Sequence, residues 1–231
     1  MQATTEERVD AEDWERFQQV QRLSDHWDRP DWPPERRYLT WYVVFDDPGL
    51  RELVAGCQRE LADLDYLDPV PPDGLHMTVQ GISYLDELGS DQPAAIAERA
   101  TEECAGMGQF SLRIGPIGGH RGGTFLRATP WQPVVDLRQR LTRATLDVIG
   151  PRKLAEPSAG FKPHVSVTYC HSDPPAGSLI DHLAELRRIP AYTTVEVAAV
   201  SLLEVWRDQR TYRWTERHRI DLTAQEPGGS T

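Results

Sequence analysis

The chain is poor in cysteine, in positive charge and in long apolar runs, and each shortage removes a class of protein. Its three cysteines, Cys57, Cys104 and Cys170, lie far apart with no CxxC pair. That spacing offers neither a disulfide framework nor a zinc ribbon, so reduced, packed thiols are expected. No segment approaches the roughly 18 apolar residues of a membrane span, the longest strand-like run being Leu39 to Phe45. The N-terminus, MQATTEERVDAEDWER, is acidic where a secretory leader would be basic and then apolar. A cytoplasmic protein without membrane partners is the default expectation. Lys and Arg number 25 against 36 Asp and Glu, a formal net charge of -11. Such a balance speaks against an extended nucleic-acid footprint, which needs many cations on phosphates. A short anionic ligand remains compatible, because its binding depends on the local field and not on total charge.

What is present is 231 residues with 39% apolar and 26% charged side chains. These are the proportions of a soluble globular chain of one domain or two intimate lobes. Residues 5–27 read as an amphipathic helix carrying Trp14, Phe17, Val20 and Trp27, and the prolines of RPDWPPERR make a connector up to about residue 37. The β-rich run from Tyr38 to Phe45 is expected as a buried strand, followed by a helix opened by Asp47 and Pro48. LHMTVQGI reads as a strand and Pro93 to Ala105 as a short helix. Strands are expected at Phe110 to Ile117 and Thr124 to Thr129, with a helix from Gln132 to Ile149 burying Val135, Leu137, Leu141, Leu146 and Ile149. GPRKLAEPSAGFKP is its exit loop, HVSVTYC a strand and SLIDHLAELRR a helix. Three strands follow, in YTTVEV, AVSLLEVWR and TYRWTERHRIDL, and 223–231 reads as a disordered tail. Strands and helices recur in two similar passes over residues 38–222, which suggests an α+β protein of two related lobes around a cleft.

Two strands carry the same signature: Leu75-His76-Met77-Thr78-Val79 and Pro163-His164-Val165-Ser166-Val167. Alternation on a strand turns His76 and Thr78 to one face and their apolar neighbours to the other, and does the same for His164 and Ser166. Each motif therefore sets an imidazole beside a hydroxyl. One such motif is weak evidence; two change the balance. The pair, offset by 88 residues, resembles the 2H phosphoesterase superfamily, which takes in bacterial 2′-5′ RNA ligase and cyclic phosphodiesterase proteins. DHWDRPDW, RRYLTWYVVFDD, LDPVP, LHMTVQG, FKPHVSVTY and WTERHRIDL are similar to actinobacterial members, and the resemblance runs from about Asp25 to Leu222, leaving the N-terminal helix outside its core. Ser166 stands where the commonest pattern has Thr. The resemblance implies a bilobal fold of two antiparallel sheets with outer helices, the histidines facing each other across a groove, and neither metal nor cofactor.

Two imidazoles suffice to open a 2′,3′-cyclic phosphate or a 2′-5′ phosphodiester, one taking a proton from water and the other giving one to the departing oxygen. Thr78 and Ser166 are then candidate donors to the phosphoryl oxygens. The near symmetry of the motifs leaves open which histidine is the base, and hydrolysis and ligation use the same groups in opposite directions. Gln80 and Thr168 continue the same strand faces. Tyr42, Phe161 and Tyr169 are candidate stacking residues, and Arg36, Lys162 and Arg207 candidate cations. His26, His120, His171, His182 and His218 have no partner at useful spacing and read as structural or surface residues. The expected ligand is a small nucleotide or short RNA end and the expected state a monomer. The competing readings are a metal-dependent hydrolase, for which a third ligand is missing, and a nucleotide-binding module without catalysis.

Overall fold

The computed structural model describes residues 4–151 and 160–223. Helix α1 (Thr5–Phe17) is followed by β1 (Tyr38–Val44), α2 (Pro48–Glu60), β2 (Leu67–Pro69), β3 (His76–Tyr84) and α3 (Gln92–Cys104). Then come β4 (Phe110–His120), β5 (Gly123–Thr129), α4 (Gln132–Ile149), β6 (His164–Cys170), α5 (Gly177–Arg188), β7 (Thr193–Val197), β8 (Ala199–Asp208) and β9 (Thr211–Asp221). The strands form two sheets, β3-β1-β8-β9 and β2-β6-β5-β4-β7, with antiparallel pairing throughout. The α+β expectation of two antiparallel sheets with outer helices holds. Most of the exit loop of α4 and residues 224–231 of the tail lie outside the described residues.

The lobes are not successive halves of the chain. The first sheet joins β1 and β3 to the last two strands, while β7 crosses to the edge of the second. The helices exchange as well: α2, which follows β1, packs on β6 and β7, whereas α4, which follows β5, packs on β3. One continuous apolar core results, running from Leu39, Trp41 and Met77 to Leu126, Val165 and Val197. Helix α2 illustrates the local logic. Asp47 caps it by accepting the Leu50 N–H at 2.8 Å, Pro48 fits its first turn, and Leu50, Val54 and Cys57 form its buried stripe. In α4 the stripe is Val134, Leu137, Leu141 and Ala144, so Val135 and Leu146 are only half-buried. All three cysteines are free and buried.

Helix α1 ends at Phe17, ten residues short of the expected boundary. Residues beyond it cross the second lobe in extended form: Leu23 donates to the Pro174 carbonyl, Ser24 to Arg121 and His26 to Cys170. Those long-range backbone bonds replace the intrahelical bonds that the apolar spacing suggested. No helix among the described residues is long and apolar enough to cross a membrane.

Both histidine strands contain an extra residue just beyond the His-x-hydroxyl motif, and β3 has a second, Ile82, further along. Tyr42 faces Thr78 and the next residue, Trp41, faces Gln80, so Val79 is bulged out of register. Phe125 faces Ser166 and Thr124 faces Thr168, which leaves Val167 in the equivalent position. A bulge disturbs the ladder at its carbonyl, and each is met by a helix from the opposite half of the chain, the Val167 carbonyl also accepting the Val70 N–H at 3.0 Å. Arg138 of α4 donates to the Val79 carbonyl, and Gln58 of α2 donates to those of Val167 and Val70, both at 2.9 Å. Replacing Arg138 by Met or Gln58 by Leu leaves buried acceptors with fewer donors. Each substitution should lower unfolding free energy by roughly 1–3 kcal/mol in urea titrations, and an unchanged midpoint would remove these side chains as the support of the bulges.

Candidate functional site

The two bulges decide what faces the cleft. His76 and Thr78 at the start of β3, and His164 and Ser166 at the start of β6, precede the extra residue and line one groove of about 820 Å³. Beyond it the faces exchange. Gln80, expected beside Thr78, is fully buried on the Trp41 side, accepting from the Thr142 hydroxyl at 2.9 Å and donating to the Gly81 carbonyl. Thr168 is likewise buried, paired with the Thr124 hydroxyl at 2.8 Å. The same exchange carries Tyr169, which strict alternation would turn away from Ser166, into the groove.

Each histidine is held in the same way. Nδ1–H of His76 donates to the carbonyl of Gly74 at 2.8 Å, and Nδ1–H of His164 to that of Lys162 at 2.9 Å, two residues upstream in both cases. A carbonyl can only accept, so the neutral rings carry their lone pair on Nε2. His76 stacks on Tyr42 at 4.1 Å between centroids and meets Trp214 edge-on; His164 is edge-on to Phe125 at 5.5 Å. Tyr42 stands opposite Thr78 in the β1–β3 register and Tyr169 lines the groove with Ser166, each hydroxyl acting to lower a phenol pKa that burial raises. Burial raises both phenol pKa values, so the two tyrosines stay protonated. Burial pushes the His76 imidazole down to about 4, the nearby charge of His164 acting in the same direction and the Gly74 carbonyl opposing it.

Of the other expected ligand residues, Tyr42 and Phe161 line the groove and three cations do not. Arg36 is bound by Asp86 and Glu87 and lies over the Tyr84 ring. Lys162 pairs with both carboxylate oxygens of Asp13, at 2.7 and 2.8 Å. Arg207 is buried, its guanidinium donating to the carbonyls of Trp27, Arg29 and Trp32. It clamps the connector to β8, a structural task that a charge buried beneath the loop can perform and a ligand contact cannot share. The cations at the groove are instead Arg29 and Arg121.

His26 and His120, expected as structural or surface residues, both line the groove. His26 stacks on Tyr169 at 4.2 Å, and its Nε2 is 2.7 Å from the Tyr212 hydroxyl. Burial and the charge of Arg29 lower its pKa to about 3. His120 accepts the Gly122 N–H at Nδ1 and has its pKa lowered to about 4 by desolvation and by His164 and Arg29. The one available signal for His26 was its place in DHWDRPDW, a segment of the resemblance; His120, in a glycine-rich hairpin, had none. His171, His182 and His218 lie outside the groove, beside Asp68, Asp63 and Thr101. The connector thus supplies a wall, with Ser24, Asp25, His26, Arg29 and Trp32, and Trp32 stands with Tyr38, Tyr84 and Tyr212 in an aromatic end. Among the described residues, no three His, Cys, Asp or Glu side chains are gathered in a metal-holding arrangement.

The lowered pKa of His76 couples the site to stability. Above the ordinary histidine pKa of about 6.5 the ring is neutral in the folded and unfolded chain alike. As pH falls from there towards about 4, the unfolded chain binds the proton first, so this part of the stability is lost across that interval. Urea unfolding at about pH 7 and about pH 5 should show a loss that is smaller in His76→Asn by on the order of 1–2 kcal/mol. Equal losses would show that His76 titrates normally.

A family model described as the 2′-5′ RNA ligase superfamily matches residues 58–209. No curated protein matches the sequence. Among solved structures, TT0787 of Thermus thermophilus has a TM-score of 0.66 at 16% identity, over 82% of this chain and 100% of that one. E. coli LigT complexed with 3′-AMP has a TM-score of 0.62 at 17% identity, over 82% and 99%. E. coli LigT complexed with phosphate has 0.57 at 17%, over the same shares. At such identities the likeness is one of fold.

Proposed function

From the premise that the chain belongs to the 2′-5′ RNA ligase superfamily, we propose that it is a two-histidine phosphoesterase acting on 2′,3′-cyclic phosphate or 2′-5′ linkages of nucleotides or short RNA ends. The observation that carries the reading is the matched setting of His76 and His164. Both have Nδ1 tied to a carbonyl two residues upstream, both have a hydroxyl residue two positions on, and both line one groove. Phosphate and 3′-AMP are among the ligands named for LigT, with NADP+ and ATP, and the first two belong to the chemistry this groove suits.

Burial distinguishes the two rings. His76, with its pKa near 4, is neutral at physiological pH and acts as base; His164 acts as acid. In hydrolysis of a cyclic phosphate, Nε2 of His76 takes a proton from water as the water oxygen bonds to phosphorus. The bond from phosphorus to one ribose oxygen breaks, His164 protonates that oxygen, and a phosphomonoester remains. Thr78 and Ser166, which line the groove beside Tyr42 and Tyr169, donate to the non-bridging oxygens, where charge is concentrated in the transition state. Arg29 and Arg121 supply local positive potential in a chain of net charge -11, and the aromatic end formed by Trp32, Tyr38, Tyr84 and Tyr212 offers a base a stacking surface.

His76→Ala and His164→Ala should each lower kcat on a 2′,3′-cyclic nucleotide by roughly 10²- to 10⁴-fold while thermal melting stays cooperative. The acid limb of kcat/KM should have its midpoint near 4 and disappear in His76→Ala. Near-wild-type rates in either variant would sink the assignment, and an acid limb lost only in His164→Ala would exchange the roles.

Thr78→Val and Ser166→Ala remove transition-state donors, so kcat should fall roughly 10- to 10³-fold with a smaller change in KM. A rise in KM at constant kcat would assign these hydroxyls to ground-state binding.

A further inference from the structure

Beside the groove lies a second compartment of about 520 Å³, within the roughly 300–1,000 Å³ typical of ligand pockets. The two share His120, Arg121, Phe161 and His164, so they are continuous on the side of His164 and away from His76. The outer wall of the compartment is Asp13, Arg16, Phe17 and Val20, contributed by α1 and the residues just after it. This segment precedes the portion matched by the family model, 58–209.

The wall is firmly built. The Asp13 carboxylate accepts from Lys162, from Arg127 of β5 at 2.8 Å and from Arg16, while Asp10 pairs with Arg187 of α5 at 2.6 Å. Arg127 is buried, so Asp13 offsets a charge that would otherwise be costly beneath the sheet. Phe17 is buried flat against Gly119, where a Cβ would fall 2.4 Å from its ring. Only glycine permits this approach, and it brings the aromatic wall against β4. With Asp13 engaged by cations, the surfaces most open to a ligand are the Phe161 ring, the Val20 side chain and the guanidiniums of Arg16 and Arg121, over a floor of the buried Phe17 and Phe125. Flat apolar walls with guanidiniums suit a base and its phosphate, since stacking tolerates any base and arginine supplies cation–π attraction.

We infer that this compartment is a second nucleoside subsite, holding the nucleoside that departs when a 2′-5′-linked dinucleotide is cleaved. The inference rests on the phosphoesterase reading and extends it. The acid in that reading is His164, the histidine shared with the compartment, so the oxygen it protonates belongs to the nucleoside seated there. Water bonds to phosphorus, the phosphorus–oxygen bond to the departing nucleoside breaks, and its proton comes from His164. A 2′,3′-cyclic mononucleotide has one nucleoside only and is turned over without the compartment.

The test fills the compartment with Val20→Trp and compares kcat/KM for a 2′-5′-linked dinucleotide with that for a 2′,3′-cyclic mononucleotide. The ratio should fall about tenfold to a hundredfold. An unchanged ratio in a variant that melts like wild type would overturn the subsite. Should Val20→Trp fail to fold, Arg16→Glu, at a side chain 63% exposed, must lower the same ratio. Binding decides the matter apart from turnover: calorimetric titration of the His76→Ala, His164→Ala double variant should give tighter binding of the dinucleotide than of either mononucleotide, and Val20→Trp or Arg16→Glu should abolish that advantage. If wild type cleaves neither substrate, the phosphoesterase reading fails and the titration alone decides the subsite; equal affinities there overturn it.

Discussion

The geometry of the groove depends on the extra residue that follows the His-x-hydroxyl motif in each histidine strand. Without the bulges at Val79 and Val167, strict alternation would turn Gln80 and Thr168 into the cleft and Tyr169 out of it. A bulge persists only if the carbonyl it displaces finds a donor; Arg138 serves Val79, and Gln58 together with the Val70 N–H serves Val167. Each side chain comes from a helix that follows a strand of the other sheet, so the helix exchange and the strand irregularity support each other. The same device appears twice, which is why Tyr42 with Thr78 and Tyr169 with Ser166 form comparable pairs on opposite sides of the groove.

Around that frame the two sides differ in environment. His76 is nearly enclosed by Tyr42 and Trp214, whereas His164 borders both the groove and the compartment walled by α1. A ring packed against aromatic faces loses hydration of its charged form and is held neutral. His76 is thereby held neutral, and in the proposed mechanism given its role as base, through packing by residues distant in sequence. The N-terminal forty residues take part as well: acidic side chains of α1 neutralise Arg127, Lys162 and Arg187, and the connector is drawn onto β8 by Arg207.

Most elements were legible because their signals are local. The Asp47-Pro48 start of α2, the stripe of α4 and the alternation in β6 depend on neighbours within a turn or a strand, and the expected boundaries lie within a few residues of those found. The exceptions have non-local causes. Helix α1 ends early because backbone bonds to residues 121, 170 and 174 capture the chain after it, and β2, only three residues long, exists as a partner to β6. The expected cations lie outside the groove for a related reason. Arg36, Lys162 and Arg207 are near the motifs in sequence or composition, but each is engaged by carboxylates or carbonyls brought from elsewhere.

By itself the sequence determined the two His-x-hydroxyl strands and the α+β class, because residue type and period-two spacing carry that information. Which residues meet in one groove was decided by tertiary structure alone. His26 and His120 join the pair, Gln80 and Thr168 leave it, and Arg29 and Arg121 replace the expected cations. The reason is that facing, burial and proton affinity are set by a bulge, a crossing helix or a loop folded across the sheet, and these contacts join residues tens of positions apart that no local pattern relates.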